Sequence, residues 1–165
     1  MRFVARGFSQ IEGVDYDETF TPVAWYTSIQ SLISIVAEMG WQIHQMDVKT
    51  TFLNEVIEEE VYVEQPQVFE VLGRETHVCR LRRALYRLKQ APRAWYSRID
   101  TYLQQRGFTK SDADLNLYYI VVGDDLLILV LYVDDLFITG ADRVISGCKE
   151  YLSMEFEMKD IGLMH

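Results

Sequence analysis

The stretch from Leu126 to Thr139, LLILVLYVDDLFIT, limits the fold of this chain more than any other. Apolar and β-branched residues on both sides of its centre read as buried strands. The centre itself is a pair of adjacent acids, Asp134 and Asp135. Two like charges beside a hydrophobic strand repel one another and resist desolvation. One reading is a polar hairpin tip, since Asp is a common turn residue. The other is a set of hard oxygen ligands for a divalent cation such as Mg2+, which offsets both penalties. Gly123-Asp124-Asp125 supplies an internal comparison, because there the same dipeptide sits in a plain hairpin connection.

At 165 residues the chain has room for one domain with a sizeable core, or forms a piece of a larger one. Its 49% hydrophobic and 13% aromatic content is globular and excludes disorder for the bulk of it. It has no apolar run of about 18 residues, so no membrane span is expected. The opening MRFVARGFSQ lacks the apolar segment of a secretory signal. Cys79 and Cys148 are far apart, as expected of reduced intracellular thiols, and His77 beside Cys79 offers too few ligands for zinc. The net charge of -9 hides a strong asymmetry. Between Arg74 and Lys110 stand ten basic and two acidic residues, a local +8 against -17 for the remainder. Such a block implies an anionic partner for one face, or a solvated face neutralised by the acidic segments; charge alone leaves both open. Glu58, Glu59 and Glu60 read as solvated surface.

Periodicity gives the elements. Arg2 to Phe8 is strand-like and basic. Tyr26 to Met39 is an amphipathic helix, with Ile29, Leu32, Ile33 and Val36 at helical spacing and Gly40 as its stop. Trp41 to Val48 is a strand that carries Asp47 near its end. VYVEQP is a short strand stopped by Pro66, and Val78 to Leu88 enters the basic block through a strand-like segment and a turn. Ala91 to Arg106 is a second helix, with Pro92 in its first turn and Trp95, Ile99, Tyr102 and Leu103 as its stripe. Strands at 117–122, 126–132 and 136–139 follow, then a third helix over about 142–154. The order predicts an α+β fold, an antiparallel sheet with helices on one face. Asp47 and the Asp134-Asp135 tip could converge at the middle of that sheet. Three carboxylates there suit two Mg2+ ions about 3.5–4 Å apart.

With Tyr132-Val133-Asp134-Asp135 in place, QMDV before it and LKQAPRAW between, the sequence resembles the reverse transcriptase of copia-type retrotransposons. The resemblance covers essentially the whole chain and includes ARGFSQIEGVDYDETFTPV, FLN, VYVEQP and FEMKDIG. It implies a right-hand polymerase palm, ferredoxin-like, with partial fingers: fingers over about 1–40 and 49–90, palm over about 41–48 and 91–165. It implies RNA-directed DNA polymerase activity, in which a primer 3′-hydroxyl attacks a dNTP. Asp47, Asp134 and Asp135 would be the catalytic, metal-binding aspartates, with the Val48 carbonyl beside them and two Mg2+ ions, or Mn2+, as cofactors. Phe52 would be the aromatic gate against a ribose 2′-hydroxyl. Gln90 would pack by the incoming nucleotide, and Arg2 or Arg6 would lie over its triphosphate. Arg82, Arg83, Lys89, Arg93, Arg98 and Tyr132 would lie near an RNA or DNA template-primer, largely without sequence preference. The remainder of a Pol polyprotein would be a further partner, in a cytoplasmic particle or the nucleus.

The chain departs from the family's usual pattern at several positions. Arg87 and Glu55 stand where Gly is usual, Leu115 where Pro is usual, Trp25 and Gln30 where Arg is common, and Thr51 where Ala is usual. Wherever a replaced Gly needs positive φ, the swap costs roughly 1–2 kcal/mol. Drift of this kind fits a decaying, non-catalytic copy or a nucleic-acid-binding remnant. The resemblance places a primer-gripping hairpin, a thumb and a ribonuclease H beyond GLMH. Weak polymerisation is therefore the expectation for these 165 residues alone.

Overall fold

The computed structural model describes residues 4–20, 22–53, 55–57, 59–66 and 68–164. The chain divides into two compact units, Met1–Phe20 with Phe52–Ser97, and Thr21–Thr51 with Arg98–His165. In chain order the elements are α1 (Tyr26–Met39), β1 (Ile43–Val48), β2 (Tyr62–Glu64), β3 (Val78–Arg80), α2 (Ala91–Gln105), β4 (Thr109–Lys110), β5 (Leu117–Val122), β6 (Asp125–Tyr132), β7 (Asp135–Gly140), α3 (Asp142–Glu155) and β8 (Met158–Leu163). Among the described residues no helix is long and apolar enough to cross a membrane.

The larger unit is built on a six-stranded sheet in the order β4-β5-β6-β7-β1-β8. Every neighbouring pair in it is antiparallel. Helix α1 stops where Gly40 turns left-handed at φ 64° and its N–H caps the Val36 carbonyl, so the expected helix is the one that forms. The expectation of helices on one face is corrected. Leu117 pairs with Val130, and Val130 with Phe137, so their side chains share a face, and α1 packs there through Leu32, Ile29 and Val36. Tyr118 pairs with Leu129, and Leu129 with Ile138, on the opposite face. There the Tyr118 hydroxyl donates to Asp100 of α2 at 2.8 Å, and the Tyr102 hydroxyl of α2 donates to the Tyr151 carbonyl of α3, also at 2.8 Å. Helices therefore cover both faces. The physical reason lies in β6, where Leu127 to Leu131 are all buried: a continuous apolar run is what a strand covered on both sides requires.

Strand β8, which the sequence pattern did not announce, is the outer neighbour of β1, with a register shift between Gln45 and Met46. Its charges, Lys159 and Asp160, suit an edge strand. The expected turn between β5 and β6 is Gly123-Asp124; Asp125 is already the first residue of β6, paired with Val122 and ion-paired with Arg143.

The smaller unit contains the β2–β3 hairpin and a core of Ala5, Ile57, Ala84, Leu88 and Ala91, with Phe52 and Leu85 packed against it. The strand expected over Arg2 to Phe8 does not form in its described part. Gly7–Ser9 is a 3-10 turn, held by the Ala5 N–H on the Tyr86 carbonyl (3.0 Å) and by the close approach of Gly7 to the Arg87 carbonyl. Helix α1 falls in the same compact unit as the sheet.

Candidate active site

Two elements bring the acids together. Strand β1 alternates, with Met46 and Val48 buried and Asp47 on the other side. In the β1–β7 ladder Asp47 stands directly opposite Asp135, and Met46 opposite Leu136. Directly opposed residues of an antiparallel pair point to the same face with Cβ atoms about 4.5–5.5 Å apart. Asp47 and Asp135 are thus neighbours, two pairs beyond Gln45 and Phe137. Tyr132 pairs with Asp135 across a two-residue turn, Val133-Asp134. The Asp134 carbonyl accepts the Val48 N–H at 2.9 Å, which ties the turn to the end of β1. Sequence reasoning expected this convergence of Asp47, Asp134 and Asp135, and the register produces it.

The turn is strained. Val133 holds φ at 59°, a region that β-branched residues rarely visit. Asp134 is not among the positive-φ residues, so the first central position alone is left-handed, as in a type II′ hairpin turn. The Val133 N–H donates to the Pro22 carbonyl at 2.6 Å, and Tyr132 bridges to Val23.

The electrostatics follow from crowding. Burial pushes the Asp134 carboxyl above the ordinary aspartate range, and the like charges of Asp135 and Asp47 push the same way, against a hydrogen bond from its own backbone. Gln45 Nε2 donates to Asp135 Oδ1 at 3.0 Å. The Val48 carbonyl accepts the Thr51 hydroxyl at 2.7 Å, which leaves that oxygen one further lone pair. Among the described residues no three acidic, His or Cys side chains already close on one point as a metal-ligand set. The donor chemistry nonetheless fits a divalent cation: hard oxygens, mutually repelling, with one carboxyl desolvated.

The other expected site residues lie as follows. In the smaller unit Phe52 is half-buried and meets Tyr86 edge-on, with centroids 5.4 Å apart. Gln90 is 2% exposed: Gln10 Nε2 donates to its Oε1 at 3.0 Å, and its own Nε2 donates to the Asp15 carbonyl. Gln90 is therefore enclosed by the Gln10–Asp15 loop. Arg6, Arg82, Arg83, Arg87, Lys89 and Arg93 are exposed, Arg93 lying 4.0 Å from Glu18. Arg2 lies outside the described residues. In the sheet unit Tyr132 is exposed. Arg98, expected to face water or phosphate, is engaged by the chain itself, 3.1 Å from Glu155 and over the Phe156 ring. Of the usual glycines, Arg87 does hold a left-handed φ of 73°. Glu55 does not; it is buried, its N–H on the Phe52 carbonyl and its own carbonyl accepting the Ala84 N–H. Sequence reasoning missed Gln45, although it lies two residues before Asp47 and so on the same strand face. It also missed the buried pair Asp114 and Asn116.

Residues 1–165, the whole chain, match the family described as reverse transcriptase (RNA-dependent DNA polymerase). The chain belongs to the reverse transcriptase family. Its relatives include the Retrovirus-related Pol polyprotein from transposon TNT 1-94 of Nicotiana tabacum, 44% identical over 98% of this chain and 12% of that protein. The polyprotein from transposon RE2 of Arabidopsis thaliana is 42% identical over 99% of this chain and 11% of its own length. The Ty1-DR4 Gag-Pol polyprotein of Saccharomyces cerevisiae is 28% identical over 98% of the chain. This reverse transcriptase domain therefore spans about a tenth of the length of such copia-type polyproteins, and no solved structure matches it.

Proposed function

We propose that the sheet unit is the palm of an RNA-directed DNA polymerase, and that the smaller unit forms part of its fingers. The observation that carries the reading is the opposition of Asp47 and Asp135 with Asp134 in the joining turn, on a strained backbone. Strain of this kind clusters at functional sites. Asp47, Asp134, Asp135 and the Val48 carbonyl would hold divalent cations, Mg2+ or Mn2+, which supply charge neutralisation for in-line displacement at a phosphorus atom. The chain's own part is to present three carboxylates at one sheet end and to fix Asp135 through Gln45. Phe52 would gate the sugar of an incoming dNTP, with Gln90 and Arg6 on the nucleotide. Arg82, Arg83, Lys89 and Arg93 would follow the template-primer backbone.

Primer extension on a homopolymeric RNA template with Mg2+ tests this, using these 165 residues and a longer chain continued through primer grip and thumb. Incorporation by the longer chain, lost about 10²-fold or more in Asp134→Asn/Asp135→Asn, is the expected result. A second reading, a drifted and non-catalytic remnant, is favoured by Arg87 held left-handed where the family usually has Gly. A longer chain that folds yet incorporates no nucleotide would establish that reading instead.

A further inference from the structure

The segment Pro22–Trp25 lies between the catalytic hairpin and a buried polar pair that has no other evident task. On one side Pro22 accepts the Val133 N–H and Val23 bridges Tyr132. On the other, Asp114 Oδ2 accepts the Trp25 N–H at 2.8 Å, and Asn116 Nδ2 donates to the Val23 carbonyl at 3.1 Å. Asp114 Oδ1 also accepts the Asn116 N–H at 2.9 Å, and the Asn116 carbonyl accepts the Leu131 N–H at 2.8 Å. Asp114 and Asn116 are 3% and 4% exposed, so the side chains that make these bonds are themselves buried. Asn116 spends its amide on Val23 while its buried Oδ1 finds no partner among the described residues. A buried polar atom left unpaired is costly, and such exceptions mark a constraint set by something other than stability.

From this lacing we infer that Asp114 and Asn116 are positioning residues for the acidic hairpin. They hold Pro22–Trp25 beside the end of β6, where Val23 bridges Tyr132, and the Pro22 carbonyl in turn pins Val133 in the left-handed conformation that aims Asp134. The role rests on the polymerase reading for its purpose, but the hold itself is a property of the fold.

The test is amide hydrogen exchange on the 165-residue chain, with Mn2+ binding followed on the same samples. Asp114→Ala and Asn116→Ala are compared with Leu152→Ala, which opens the core under α3 and lowers stability without touching the lacing. The expected result is a rise of about tenfold or more in Val133 exchange relative to the Leu129 and Ile138 amides, and a fall of about tenfold in Mn2+ affinity. Asp114→Asn keeps one acceptor oxygen and should restore part of both. Leu152→Ala should raise all three exchange rates together. Val133 exchange that merely tracks Leu129 and Ile138 in the Asp114 and Asn116 variants overturns the inference, as does a freed Val133 with unchanged Mn2+ affinity. Mn2+ binding that survives Asp47→Asn/Asp134→Asn counts against the polymerase reading instead, and leaves the exchange result standing.

Discussion

Three described residues other than glycine hold positive φ: Thr50 at 53°, Arg87 at 73° and Val133 at 59°. A left-handed L-residue costs about 1–2 kcal/mol, and at Val133 the hydrogen bond to the Pro22 carbonyl offsets part of it. Arg87 has an exposed side chain and stands close to Gly7, whose added Cβ would run into the Arg87 carbonyl. Arg87→Gly is expected to release the strain and lose part of it to chain entropy, for a net gain of about 1 kcal/mol or less. Calorimetry should show a Tm rise of up to about 2–4 °C, while Gly7→Ala should lower Tm. A fall in Tm with Arg87→Gly would mean that the arginine's own contacts outweigh its backbone strain. At this scale the sequence was partly legible. Asp47, Asp134 and Asp135 stood out because acids beside buried strands need a reason. Left-handed Val133 did not, because valine's intrinsic preference is for extended backbone and only tertiary hydrogen bonding holds it elsewhere.

The hairpin of β6 and β7 places a partly buried carboxyl near two like charges, and its stability should depend on pH in a definite sense. Asp134 has a folded-state pKa above its unfolded one, so protonation favours the folded chain. The penalty is absent below the ordinary aspartate pKa of about 4 and develops as pH rises through the raised value. Without metal, Asp134→Asn should therefore raise Tm at pH 7 by no more than about 2–4 °C, since Asp134 is only partly buried and solvent screens the repulsion. At about pH 3 the two chains should melt together. Added Mg2+ should stabilise the Asp134 chain and leave the Asn variant nearly unmoved, because only a ligand of the folded state shifts the equilibrium. Equal stabilisation of both by Mg2+ would place the cation elsewhere. Three helices and the central strands were legible from periodicity, since each carries its own stripe. The two-sided cover of the sheet was present in the unbroken apolar run of β6 and was passed over. Strand β8 was not legible: a charged edge strand carries little apolar alternation, and its place is set by pairing with β1.

At the scale of the whole chain, segregation of charge into a +8 segment inside an acidic protein was visible in the sequence, and its division of labour was not. Several cations of that segment are engaged by the chain's own carboxylates. Arg80 pairs with Glu60 at 2.8 Å, Lys110 with Asp100 at 2.9 Å and Arg98 with Glu155 at 3.1 Å. Those partners lie 10 to 57 positions away for Lys110 and Arg98, so no local pattern announces them. The consequence can be measured as a salt dependence. Each phosphate neutralised contributes a log–log slope of about -0.7 to -0.9 to binding of a nucleic acid. Lys89 and Arg82 are exposed, so Arg82→Ala and Lys89→Ala should each weaken binding to an RNA/DNA hybrid and make its slope shallower by about one unit. Arg98→Ala removes a cation already held by Glu155 and Phe156; it should lower Tm and leave the slope unchanged. On the proposed polymerase reading, binding should also be tighter to the hybrid than to heparin at matched salt, because duplex shape is then recognised as well as charge. A slope that Arg98→Ala reduces as much as Arg82→Ala would mean that the ion pair opens on binding, and that the cationic surface is larger than the exposed residues define.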